Sequence, residues 1–192
     1  MAELIGHQNI VKNEVVNQIM GHPLLLKLLF YKDTNVDIFT QPDLTFKQIR
    51  QVKRENIYEY RKLPLNNETV ARPYLSMENG VKRYHKDKNK HYNSGIFIIY
   101  LFCEGEVDAT VNGSRTIAIE ECLRELFDEK SLKIRNMETQ KDEYVCQTYI
   151  GETTPNGANG TNAVGRIITL EYSGFNPIEK RDFDEINNSR RL

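Results

Sequence analysis

Gly95-Ile96-Phe97-Ile98-Ile99-Tyr100-Leu101-Phe102-Cys103 is the run on which the architecture of this chain turns. It is rich in β-branched and aromatic residues, and both alternating sets of side chains are apolar. A membrane-spanning helix needs about 20 apolar residues, far more than this run supplies. The pattern predicts a strand buried on both sides, in the middle of a sheet covered by helices. Nothing catalytic sits on or beside it, so the stretch reads as scaffold.

Upstream, Gln8 to Met20 places Ile10, Val11, Val15, Val16 and Ile19 near the spacing of one helical face. Gly21-His22-Pro23 interrupts that helix, with glycine suited to its end and proline to the first position of the next. Leu24, Leu25, Leu26, Leu28, Leu29, Phe30 and Tyr31 then form a short helix apolar nearly all round, which has to be buried. Asp33 to Pro42 is a turn-rich connection, and Leu44 to Tyr60 contains a further, polar helix. Pro64, Asn66, Asn67 and Pro73 make the next stretch irregular, and Tyr74 to Glu78 is extended.

Downstream, Thr116 to Glu129 is the cleanest helix: Ile119, Cys122, Leu123, Leu126 and Phe127 line one face. Glu120, Glu121, Arg124, Glu125, Asp128 and Glu129 fill a face expected to be solvated, and Asn112-Gly113-Ser114 supplies a turn and N-cap. Strands follow at Glu143 to Ile150 and Gly165 to Ser173, the latter with Ile168, Leu170 and Tyr172 on one side. The loop between them, Gly151 to Asn162, is rich in Gly and Asn and joins two antiparallel strands. The expected fold class is α/β (α+β). It has a mixed or antiparallel sheet with a central buried strand, packed by N-terminal helices and one amphipathic helix. Residues 1–175 form a single domain and 176–192 a polar C-terminal tail.

The chain has 192 residues, of which 28% are charged, with a net charge of −1. That balance gives no overall attraction to nucleic acid or anionic membrane. Cys103, Cys122 and Cys146 all fall in apolar patterns, which argues for buried reduced thiols over a disulfide framework or a zinc site. The N-terminus shows no secretion signal. Ten tyrosines without a tryptophan hint at assembly, since tyrosine favours interfaces.

Candidate chemistry is sparse. Lys82, Arg83, Lys86, Lys88 and Lys90 stand against Asp87 alone, interleaved with Tyr84 and Tyr92. Such a segment can contact phosphates or a partner, although a solvated loop explains it equally simply. His7, His22, His85 and His91 are scattered, without metal-ligand spacing. No catalytic triad, phosphate-binding loop or cofactor motif stands out, so catalytic, cofactor-binding and metal residues are all expected to be none. Thr154, Asn156, Gly157, Asn159 and Gly160 make a candidate assembly loop, because nothing in their composition anchors them to a core.

The order of elements, with Leu28-Leu29-Phe30-Tyr31-Lys32-Asp33, Thr40-Gln41-Pro42-Asp43-Leu44-Thr45 and Gly165-Arg166-Ile167-Ile168-Thr169-Leu170-Glu171-Tyr172, resembles the neck proteins of tailed bacteriophages. The closest type is the tail terminator or tail-completion protein. The resemblance covers roughly Gln8 to Phe175 and rests on element order more than on motif. It implies a non-enzymatic, cofactor-free virion protein of the neck, made in the host cytoplasm. Its implied partners are copies of itself in a ring, usually a hexamer, the tail tube protein, and the head-side connector or head-completion protein. DNA passing through the channel is a further implied contact, and no membrane is involved. The competing expectation is a small nucleic-acid-binding accessory protein using residues 82–91.

Overall fold

The computed structural model describes residues 2–62, 72–80, 83–84, 92–135, 142–155 and 163–175. Helix α1 (Ala2–Met20) stops at Gly21, whose amide donates to Asn17 and Gln18 carbonyls. Helix α2 (Pro23–Phe30) starts on Pro23 behind an N-cap at His22, whose Nδ1 accepts from the Leu25 amide at 3.1 Å. A 3-10 turn (Ile38–Thr40) leads to α3 (Phe46–Glu55), opened by a Thr45–Gln48 capping box. This helix is shorter than the Leu44 to Tyr60 expectation because the chain is extended again by β1 (Ile57–Tyr58).

Strands β2 (Tyr74–Asn79), β3 (Arg83–Tyr84) and β4 (Tyr92–Glu104) follow. A short excursion carries α4 (Gly105–Asp108), β5 (Ala109–Thr110) and β6 (Gly113–Ser114). Helix α5 (Arg115–Phe127) begins at the expected cap, Ser114, which accepts from the Ile117 amide. Strands β7 (Lys130–Arg135), β8 (Asp142–Pro155) and β9 (Ala163–Phe175) complete the described fold. The main sheet has seven strands in the order β1-β2-β4-β9-β8-β7, with β3 beside β4. Among the described residues, β1–β2 is parallel and the other pairs are antiparallel, so the fold is α+β with a mixed sheet. Among the described residues, no helix is long and apolar enough to cross a membrane.

The predicted central strand is β4, paired along its whole length with β9. Its odd-numbered residues Phe97, Ile99 and Leu101 are fully buried. They share one core with residues of α1, α2, α3 and α5 and with Ile168, Leu170 and Tyr172 of β9. Gly95 belongs to this face for a steric reason: a Cβ there would lie 2.3 Å from the Tyr172 hydroxyl. The Tyr172 ring stacks on Phe97 with centroids 5.0 Å apart.

The expectation of helices over both sides of this strand is corrected. The buried helical side chains all pack on the odd-numbered face, and the even-numbered face carries a separate cluster around Tyr74, Tyr100, Phe102 and Ala163. Ile10 also departs from expectation, at 46% exposed, whereas Val11, Val15, Val16 and Ile19 are buried. All four core leucines of α2 are buried, as its sequence requires.

Candidate assembly surface

The even-numbered face of the sheet is unequal along its length. At the Phe102 end it is roofed by the chain that follows α3. Asn56, which ends that helix, is buried and donates to the carbonyls of Leu29 (3.0 Å) and Pro73 (2.7 Å), while its own carbonyl accepts from Leu75. This anchor turns the chain from the helical layer onto the sheet edge. Tyr58 then meets Tyr74 edge-on, with centroids 5.6 Å apart, and Tyr74 leans on Phe102 at 5.7 Å. The Lys62 amide donates to Ser76 Oγ, and its ammonium sits 4.2 Å from the centre of the Tyr58 ring. Arg61 covers Tyr100 at 5.4 Å and lies 3.6 Å from Glu78, to which the Tyr100 hydroxyl donates. Burial, with that carboxylate second, raises the Tyr100 pKa above its ordinary value.

Toward the Tyr92 end the roof stops. Ile96, Ile98 and Thr169 are half-buried, Tyr149 of β8 is 44% exposed, and Glu171, which pairs with both Ile96 and Tyr149, is exposed. No helix covers this half among the described residues, so it offers a mixed surface in which apolar and tyrosine side chains flank a carboxylate.

The two sequence-predicted contact elements lie at opposite ends of the sheet. Arg83 pairs in antiparallel backbone register with Ser94 and Tyr84 with Asn93, at the Tyr92 end of β4. Lys82, Lys86, Lys88 and Lys90 lie outside the described residues, as do His85 and His91. Thr154 is half-buried and opposes Ile167 near the far end of β8. Asn156, Gly157, Asn159 and Gly160 lie outside the described residues, as does the tail 176–192. The flanking strands β8 and β9 are antiparallel, as expected of a loop that joins them. Thirteen residues of β4, about 40 Å at 3.3 Å per residue, separate the two ends.

Two charged residues proved more central than their sequence suggested. Glu120, expected on the solvated face of α5, is only 7% exposed. Its carboxylate accepts from Arg124 Nε (3.1 Å) and Nη2 (3.0 Å), while Arg166 of β9 lies 2.8 Å from its second oxygen. Arg124 continues to Thr153 Oγ1 at 3.1 Å. The correction has a physical reason: a carboxylate between two guanidiniums is compensated, so it can leave water. Glu121 and Glu129 are exposed as expected.

Arg115 is fully buried. It donates to the carbonyls of Leu28 (3.0 Å), Tyr31 and Val107 (2.9 Å), tying the end of α2 to the α4 excursion. It thereby supplies donors where a helix leaves its last carbonyls unpaired. Burial lowers its pKa, with Cys103 and Asp108 opposing. No local sequence signal marked it; only its position beside the Ser114 cap made it noticeable.

The three cysteines are buried and none is in a disulfide. Burial above all pushes the Cys103 thiol up to about 12 and that of Cys122 up to about 11, which keeps both protonated and poor nucleophiles at neutral pH. His22 is committed to capping α2, with Nε2 3.6 Å from Glu125. Among the described residues, no three His, Cys, Asp or Glu side chains converge as a metal site would require.

No curated protein and no solved structure matches the chain. A family model, YomW, matches residues 23–153, from the first residue of α2 to the bulged part of β8. That match takes in well over half of the sequence. The chain therefore belongs to the YomW family, a phage-derived family, and is a phage-associated protein.

Proposed function

We propose that this chain is a structural protein of the phage neck, of the tail-terminator type. It forms a ring that ends the tail tube and meets the head-side connector. The observation that carries the reading is the unroofed half of the even-numbered face, where Ile96, Ile98 and Tyr149 stay in contact with water. Apolar residues on a sheet face gain about 25 cal/mol per Å² when a neighbour covers them. A head-to-tail contact repeated by rotation closes into a ring. The phage-derived family and the resemblance in element order support the same reading.

Isolated subunits can remain monomeric until a tail tube templates them. The test is therefore made on native phage particles, by image reconstruction or by labelling this chain with antibody. A ring at the junction of head and tail is the expected result. A position elsewhere in the particle, or absence from it, overturns the proposal.

The nucleic-acid reading keeps one point in its favour, the five Lys or Arg residues against one Asp between residues 82 and 91. Retention on DNA that falls steeply with salt, with a log–log slope of about −0.7 to −0.9 per phosphate contact, would favour it instead.

A further inference from the structure

Helix α3 carries its charge on one side. Its sequence, Phe46-Lys47-Gln48-Ile49-Arg50-Gln51-Val52-Lys53-Arg54-Glu55, holds four cations and one carboxylate in a chain whose net charge is −1. At 3.6 residues per turn, Phe46, Lys47, Arg50, Lys53 and Arg54 fall within about 120° of arc. All of them are exposed, Phe46 at 69%. Ile49 and Val52 turn the other way and pack in the core. The helix rises about 10 Å from Lys47 to Arg54, so the four cations form a single ridge.

The polar side chains beside the ridge are already committed. Glu55 is held by Arg54 at 2.9 Å and by Arg72. Gln48 closes the capping box, its Oε1 accepting from the Thr45 amide at 2.8 Å, and Gln51 donates to Glu55 at 3.0 Å. Glutamine is a residue that reads base edges, and both glutamines of α3 are engaged locally instead. The Arg50 guanidinium lies 4.3 Å from the centre of the Phe46 ring, which holds one donor fork in a fixed plane at the surface.

This chemistry selects among anionic partners. A helix that lies on a membrane turns a broad apolar face outward. Here Ile49 and Val52 are turned inward, and Phe46 stands alone against Arg50. The centre of a protein–protein interface is depleted of charge, and of lysine in particular. Protein–DNA interfaces are strongly positive. Duplex DNA carries one negative charge per about 1.7 Å of axis, so a length matching the ridge holds about six phosphates. Single strands are held largely by aromatic platforms on which bases stack. A ridge whose one aromatic ring is already taken by Arg50 suits a duplex better.

We propose that the ridge of Lys47, Arg50, Lys53 and Arg54 on α3 binds the phosphate backbone of duplex DNA without reading its sequence. The proposal rests on neither functional reading above. A ring subunit and a free DNA-binding subunit can each carry such a ridge, and residues 82–91 take no part in it.

The test is binding of the full chain to a short labelled duplex of mixed sequence, followed by fluorescence anisotropy across a salt series. Lys47→Ser, Arg50→Ser and Lys53→Ser in one chain should flatten the log–log slope by about 2.7, at about 0.9 per phosphate contact, and weaken binding at least about tenfold at low salt. Arg54 is kept because it also holds Glu55. Lys47→Gln with Lys53→Gln leaves the stack of Arg50 on Phe46 intact and should flatten the slope by about 1.8. With Lys82, Arg83, Lys86, Lys88 and Lys90 all replaced by Ser, the α3 share of the slope should persist and then disappear when the α3 triple is added. No salt-sensitive binding by the unaltered chain, or an unchanged slope and affinity in the α3 variants, overturns the proposal. So does binding lost with the 82–91 replacement alone, or stronger retention on phosphatidylserine vesicles or single strands than on the duplex.

Discussion

The two faces of β4 are built from similar residues and meet different fates. Phe97, Ile99 and Leu101 on one side lie against a helical layer with no exposed surface. Ile96 and Ile98 on the other side, in the same strand and of the same chemistry, stay half in water. Hydrophobicity thus states that a side chain gains from being covered; it does not state which element, or which molecule, does the covering. Antiparallel sheets commonly leave one face to solvent, but that face is then usually polar. Here the open face mixes Ile96, Ile98 and Tyr149 with Thr169 and Glu171.

The sharpest way to test this contrast is by truncation on each face. Phe97→Ala removes a fully buried ring and should cost about 3–5 kcal/mol of folding stability in thermal or denaturant melts. A loss as small as that of an open-face variant would erase the distinction between the faces. Gly95→Ala comes next: its methyl group has to displace the Tyr172 ring, at about 1–3 kcal/mol, and Tyr172→Leu in the same chain should recover part of that.

Glu120→Gln removes the carboxylate between Arg124 and Arg166, leaving Arg124 with Asp128 at 3.7 Å. Both guanidiniums retain some solvent, so the expected loss is roughly 1–2 kcal/mol, below that of a wholly buried pair. Ile98→Ser with Tyr149→Ser should change the melt by under about 1 kcal/mol while preventing incorporation into particles. A large stability loss from that pair would show that the open face is already covered within one chain.

The smallest effect concerns the end of α3, where the chain leaves the helix to roof the Phe102 end of the sheet. Hydrogen bonds from Gln51 and Arg54, with Arg72 nearby, hold the Glu55 carboxyl down to about 2 from an ordinary 4.5. Because the folded value is the lower one, its contribution is present above pH 4.5 and is lost as pH falls through about 2. A carboxyl titration followed by NMR should place the midpoint near 2, and Gln51→Ala should move it upward.

Much of the fold was legible because it is written in local periodicity. Gly21 and Pro23 marked the junction of two helices, Ser114 marked the start of α5, and Ile168, Leu170 and Tyr172 lie on the face their alternation gives. The charged nodes were not legible in the same way. A glutamate at position 120 reads as surface until Arg166, far along the chain, is brought beside it. Arg115 bonds to a carbonyl 87 residues away, and no window of sequence contains both ends of that contact. The roof over Phe102 was missed for a related reason: Tyr58 lies in the Leu44 to Tyr60 stretch read as holding a polar helix, which the chain leaves once Asn56 finds buried acceptors on Leu29 and Pro73.

The pairing of β4 with β9 bears on how the molecule carries load. Thirteen consecutive residue pairs join the two strands, from Tyr92–Phe175 to Glu104–Ala163. Their backbone hydrogen bonds lie across the strand direction. Tension applied along the strands from opposite ends stretches all of these rungs together, whereas tension applied across them parts one rung at a time. The molecule is therefore mechanically stiffest along a single axis, the one that runs along β4 from Tyr92 to Glu104. A neighbour gripping each end would transmit force through the strongest direction the fold possesses.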